Sequence, residues 1–335
     1  MSARTKTVLM LTPLALGLVG VSWLALRVFS NPAPASGSST TVEQTAPLGT
    51  FDSIVSSART YLGQGKPAQA EIILQRAVEE YPGEQALRVL LGEALLQLDR
   101  PEEALQEFEH ACFIGPDKAE YRDFAGTIAA QLGRDVDAEA HYAMAQRLDA
   151  QNPKYPLYRA QVQRRMGDLE GARASLMITT KLDPSIAEAW ATLADIALET
   201  NRPSMAERYI AQARELRPGD PVFRIIEARA LRRSGRPEDA AQILMALPED
   251  ELLADALVLR ELGQCMGMMG ETRRMARLYI EASDRAPSNG EIAFEAALWL
   301  ERDGQLEEAV AYATRAARQD YPNAAALAQR LRDAG

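Results

Sequence analysis

From Phe51 onward the chain repeats itself every 34 residues, and this period constrains its fold more than any other feature. Segments beginning at 51, 85, 119, 153, 187, 221, 256 and 290 lie over one another, with one extra residue between the sixth and seventh. The eighth position is always small: Ala58, Gly92, Gly126, Ala160, Ala194, Ala228, Gly263 and Ala297. The twentieth is alanine at 70, 104, 138, 172, 206, 240 and 309, with Met275 the exception. The fifteenth holds Gly65, Asp99, Gly133, Gly167, Asn201, Gly235, Gly270 and Gly304. A unit of this length cannot bury its apolar face alone, so neighbouring units must stack.

Each column has a physical reason. Two antiparallel helices joined by a tight turn approach closely only where facing residues are small, which explains the eighth and twentieth positions. The fifteenth must leave the first helix through left-handed backbone, tolerated best by Gly, Asn and Asp. Pro67, Pro101, Pro203 and Pro237 then open second helices, where a missing N–H costs nothing. Pro82, Pro116, Pro184, Pro218 and Pro287 stop them. Larger apolar residues at the seventh and twenty-fourth positions, such as Leu91, Leu193, Leu74, Phe108 and Tyr142, fill the space between.

This pattern resembles the tetratricopeptide repeat family, most closely in the fifth segment through Trp190, Leu193, Ala194, Ala206, Ala213 and Pro218. The resemblance implies an all-α fold, a right-handed superhelical solenoid of about eight helix-turn-helix repeats. They would span 51–84, 85–118, 119–152, 153–186, 187–220, 221–255, 256–289 and 290–322, closed by a capping helix within 323–335. The sixth segment departs from the pattern: Leu247 replaces a small residue, Pro248 cuts the second helix short, and Glu249–Glu251 follows. A methionine-rich segment (Met266, Met268, Met269, Met275) comes next. Either a weak stacking interface or an irregular turn is expected around 247–255.

Residues 1–29 read differently. Arg4 and Lys6 precede an uncharged, mostly apolar stretch over residues 7–26, long enough to cross a bilayer as one N-terminal transmembrane helix, and Arg27 closes it. The competing reading is a cleaved signal peptide, since Ala33 and Ala35 precede Ser36 in an A-x-A pattern. The length of the apolar run favours the anchor. Both readings put the repeats outside the cytoplasm, in a periplasm-like compartment, because the positive charge gathers before the run. Residues 30–50, rich in Pro, Ser, Thr and Ala, read as a flexible linker.

Composition narrows the function. A net charge of −10 argues against bulk nucleic-acid binding, so no nucleic acid is expected as a partner. Two cysteines, Cys112 and Cys265, cannot build a disulfide framework and read as buried small hydrophobes. Two histidines, His110 and His141, lack ligand spacing, and their neighbours Glu107, Glu109 and Glu139 read as exposed-face acids. No nucleotide-loop, hydrolase, zinc-protease or dinucleotide motif occurs in context. No catalytic residue, metal site or cofactor is therefore expected, and the chain does not read as an enzyme. Tyr121, Phe124, Tyr155 and Tyr158 recur one period apart and read as stacking contacts.

Helical spacing singles out one surface. In each first helix, positions two, five, nine and twelve or thirteen face away from the packing stripe. In the family resembled, that face lines a concave groove where peptides bind. Here the fourth segment offers Lys154, Gln161, Arg164 and Arg165. The sixth offers Arg229, Arg232 and Arg233, and the seventh Arg260 and Gln264. The fifth presents Glu188, Asp195 and Glu199. Two readings stand: a groove that orients a partner segment, or a ladder of ion pairs between repeats, for example Arg164 or Arg232 with Glu199. The expected role is a membrane-tethered scaffold or adaptor for protein or peptide partners. The alternative is a subunit of an envelope export or biogenesis machine, such as polysaccharide secretion or cytochrome maturation.

Overall fold

The structure, a computed structural model, describes residues 49–334. The predicted membrane segment, residues 7–26, lies outside them. Among the described residues no helix is long and apolar enough to cross a membrane. Those residues form eighteen α-helices and no strand, in two compact units that meet between Asp183 and Pro184 in the chain.

The first unit holds α1 (Phe51–Gly63), α2 (Pro67–Glu80), α3 (Gln85–Gln97), α4 (Pro101–Ile114), α5 (Ala119–Gln131), α6 (Asp135–Leu148), α7 (Lys154–Arg165) and α8 (Leu169–Leu182). Each packs on its neighbours in the chain. Their common core runs from Ile54 through Leu74, Leu91 and Phe108 to Tyr142 and Val162. Second helices meet the following first helices through aromatic pairs, Phe108 with Phe124 (ring centroids 5.3 Å apart) and Tyr142 with Tyr158 (5.6 Å).

The second unit holds α9 (Ala187–Glu199), α10 (Pro203–Leu216), α11 (Pro221–Arg233), α12 (Pro237–Met245), α13 (Glu249–Ala254), α14 (Ala256–Met269), α15 (Thr272–Arg285), α16 (Gly290–Arg302), α17 (Leu306–Arg318) and α18 (Ala324–Ala334). Its core runs from Ile225 through Leu244, Leu262, Tyr279 and Leu300 to Leu331.

The turn between paired helices has one form throughout. The fifteenth-position residue has positive φ in all eight cases, from Asn201 at 55° to Gly304 at 81°. The next amide then reaches back across the turn, as in Lys66 N–H to Tyr61 O (2.9 Å), Arg202 to Ala197 (2.7 Å) and Gln305 to Leu300 (2.9 Å). This satisfies a helix-end carbonyl that would otherwise lack a partner. Ala58, Ala194, Ala206 and Ala309, on the small-residue seams, are wholly inaccessible to solvent.

At the irregular sixth segment, Pro248 ends α12 early and starts the one-and-a-half-turn α13. Its acidic first turn complements the positive helix end, and Arg285 pairs with Glu249 and Asp250. Leu247, Leu252 and Leu253 are buried in the unit's core. The irregularity is a short helix whose acidic residues, Glu249–Glu251, are exposed while its two leucines are packed inward.

A charged stripe along the first helices

The stripe residues are held by the period itself. Within each unit a side chain on one first helix stands beside its counterpart on the next, so opposite charges about one repeat apart in sequence become neighbours.

In the first unit, Lys154 at the start of α7 donates to Asp123 on α5 at 2.5 Å. Asp123 is 7% exposed, and burial pushes its carboxyl above the usual carboxylate range while Lys154 pulls it back. The Lys154 ammonium also lies 5.4 Å from the Tyr158 ring centroid. Arg165 donates to Asp135, which opens α6, at 2.5 Å. It is thereby drawn toward the hairpin turn. Gln161 and Arg164 are half-buried on the same helix.

The second unit carries the tightest arrangement. Arg229 donates through Nε to Glu261 Oε1 at 2.9 Å, and Arg232 through Nη2 to Glu261 Oε2 at 3.2 Å. Two guanidiniums of α11 thus clamp one buried carboxylate of α14. Asp195 on α9 stands 4.0 Å from Arg229 on the other side. Arg233 donates to the Leu198 carbonyl at 2.5 Å, and Arg260 pairs with Glu291 on α16. Gln264 is exposed.

The sequence-derived partners were only partly those found. Asp195 does face Arg229, whereas Glu188 pairs with Arg217 at 2.8 Å. Glu261, Asp123, Glu291 and Asp135 escaped the sequence reading. The signal was available: each lies 29–32 residues from its basic partner, just under one period. Periodicity identifies such a pair only when both residues are aligned on adjacent repeats rather than read along one helix.

A second cluster corrects the reading of the exposed-face acids. Glu107 takes Arg88 at 2.7 Å, and Glu139 takes Arg159 at 2.7 Å. Glu109 lies 3.3 Å from His141 Nε2, and Arg122 Nη1 stands 3.5 Å from His141 Nδ1. A guanidinium can only donate, so Nδ1 must accept and Nε2 carries the proton toward Glu109. His141 is buried, and that burial pushes its pKa below the ordinary histidine value despite the nearby carboxylate. His110 is exposed, and both cysteines are buried free thiols. Burial raises each thiol to about 11, which leaves it protonated near neutrality. Among the described residues no three His, Cys, Asp or Glu side chains gather in a metal-binding group.

The chain matches tetratricopeptide repeat family models over residues 61–128 and over 159–221 and 192–252. No curated protein matches it. Among solved structures, a tetratricopeptide repeat protein from Parabacteroides merdae is 15% identical, with 84% of this chain and 98% of that one covered at a TM-score of 0.47. Pseudomonas aeruginosa PilF is 17% identical, covering 63% of this chain and 96% of its own, with a TM-score of 0.48. The tetratricopeptide repeat protein YrrB is 16% identical over 51% of this chain and 88% of its own, with a TM-score of 0.46. The matched repeat models, together with eight like helix pairs turning on the same left-handed residue, identify this chain as a tetratricopeptide repeat protein.

Proposed function

We propose that this chain is a membrane-tethered scaffold or adaptor that assembles protein partners on the charged stripe of its first helices, outside the cytoplasm. Tetratricopeptide repeat proteins generally mediate protein–protein interaction. The observation that carries the reading is the stripe: basic groups already fixed by carboxylates of adjacent repeats yet still partly open to solvent. Arg260 retains 48% of its side-chain exposure and Lys154 45%. A guanidinium or ammonium held in one geometry loses less entropy on meeting a partner than a free one. The apolar run over residues 7–26 and the positive charge before it support tethering with the repeats outside.

The test is affinity capture from native membranes with the full chain, comparing wild type with Lys154→Gln and Arg260→Gln. A stoichiometric protein partner that either substitution weakens, more strongly at low salt, supports the reading. Capture indifferent to both substitutions removes the stripe as the binding surface. A partner drawn from an export or biogenesis machine would select the more specialised reading of a machine subunit.

A further inference from the structure

Two successive repeats of the second unit place a glutamate at the same position, and only one of them is clamped. Glu261 is the sixth residue of its segment, and Arg229 and Arg232, ninth and twelfth of the segment before, close on both its oxygens. Glu295 is the sixth residue of the next segment. The residues that should close on it are Gln264 and Gly267. Glu295 makes no hydrogen bond or ion pair among the described residues, although it is half-buried. Burial raises its pKa, while Arg260 and Arg302 oppose the shift from a distance.

Both nearby arginines are otherwise engaged. Arg260 pairs with Glu291, and Arg302, two turns beyond Glu295 on α16, lies 4.7 Å from the Trp299 ring centroid. The space is open where the clamp is missing. A Cβ built on Gly267 would meet only Trp299 Cη2, at 3.4 Å, an ordinary contact. Gly267 and Gln264 are exposed, and Met268 beside them is 57% exposed. Leu298, half-buried, lies on α16 one turn from Glu295.

We infer that the vacant clamp over Glu295 receives an arginine side chain from the bound partner, which supplies in trans the guanidinium that repeat six supplies to Glu261 in cis. This rests on the protein-binding reading above and names the chemistry of one contact within it. A guanidinium suits the site for three reasons. Its planar fork can match both oxygens of a carboxylate through two parallel hydrogen bonds, where one repeat earlier Arg229 and Arg232 each donate one, to Oε1 and Oε2 of Glu261. Its weak hydration lowers the penalty of entering a half-buried position. Its flat faces also pack on apolar side chains, and Met268 beside the site is 57% exposed.

The first test rebuilds the clamp within the full chain. Gln264→Arg with Gly267→Arg should raise the thermal midpoint, and the gain should shrink in a Glu295→Gln background. An equal gain in both backgrounds would reflect helix propensity alone and overturn the inference. The second test titrates N-acetyl-arginine methylamide, with its citrulline analogue as the uncharged control. The methyl NMR signals of Met268 and Met269 are the readout. Movement with arginine only, abolished by Glu295→Gln, supports the site; equal response to citrulline, or none to either, overturns it. With a purified partner, Glu295→Gln should weaken binding about tenfold, the loss of one charge-assisted pair. Binding untouched by Glu295→Gln but weakened by Lys154→Gln would sink this contact and leave the protein-binding reading standing.

Discussion

Gly92 and Phe108 are matched in size: a Cβ built on Gly92 would stand 2.7 Å from Phe108 Cε2. The eighth position of the repeat sits under the twenty-fourth, and the two trade volume. Phe108 and Tyr142 stand over Gly92 and Gly126. Leu74, Leu176, Ile210 and Leu244 occur in segments whose eighth residue is Ala58, Ala160, Ala194 or Ala228. Gly92→Ala should therefore destabilise the protein by about 1–3 kcal/mol, against a helix-propensity gain of about 1 kcal/mol. Adding Phe108→Leu should recover part of the loss by recreating the Ala58–Leu74 pairing. Denaturant midpoints of the two single variants and the double give the coupling, and strict additivity would refute the size match.

Ala194 is wholly inaccessible to solvent on the seam of α9. Ala194→Leu should lower stability by about 1–3 kcal/mol, because the seam has no room for added methylenes. Thermal unfolding of the variant is the check, with an unshifted midpoint contradicting the seam.

Glu261 has 8% of its side chain exposed, and the two arginines that share it 18% and 17%. Glu261→Ala leaves both guanidiniums largely desolvated without their carboxylate, at a cost of about 3 kcal/mol. Replacing Arg229, Arg232 and Arg233 together with Gln should also lower the midpoint, whatever it does to partner capture. Unfolding indifferent to both changes would mean the clamp does not form in solution.

His141 makes stability depend on pH in a defined direction. Its folded-state pKa lies below the ordinary histidine value, so the unfolded chain binds more protons as pH falls. The contribution is fully present above the unfolded value, about 6.5, and is lost as pH drops through the folded one. The groups facing the ring are Glu109, Arg122 and Asp137. Wild type should lose more stability than His141→Gln between neutral and mildly acidic pH. Parallel curves would show that the ring does not stay neutral in the fold.

The orientation of the chain can be read independently. A reporter fused after Gly335 should behave as extracytoplasmic, and the protein should remain in membranes after carbonate washing. A soluble product beginning near Ser36 would select the cleaved reading of residues 1–29 instead.

Helix pairing, turn chemistry and the seam were legible in the sequence because each depends on residues at fixed offsets within one repeat. The left-handed turn at Asn201 recurs at every equivalent position, and the missing N–H at Pro203 recurs at Pro67, Pro101 and Pro237; both are local backbone facts. The sequence also showed that the first helices carry a charged stripe. It could not say which charges meet. Whether Arg232 reaches Glu199 or Glu261 depends on the rise and rotation from one helix pair to the next, a tertiary quantity. Two glutamates in the same column, Glu261 and Glu295, accordingly have different fates, because the side chains that close on them come from the repeat before. His141 likewise read as an isolated side chain until stacking brought Glu109 and Arg122 to its two nitrogens. Local offsets are fixed by the covalent chain, whereas the pairing of long, flexible charged side chains is fixed only when the repeats stack and exclude water from between them.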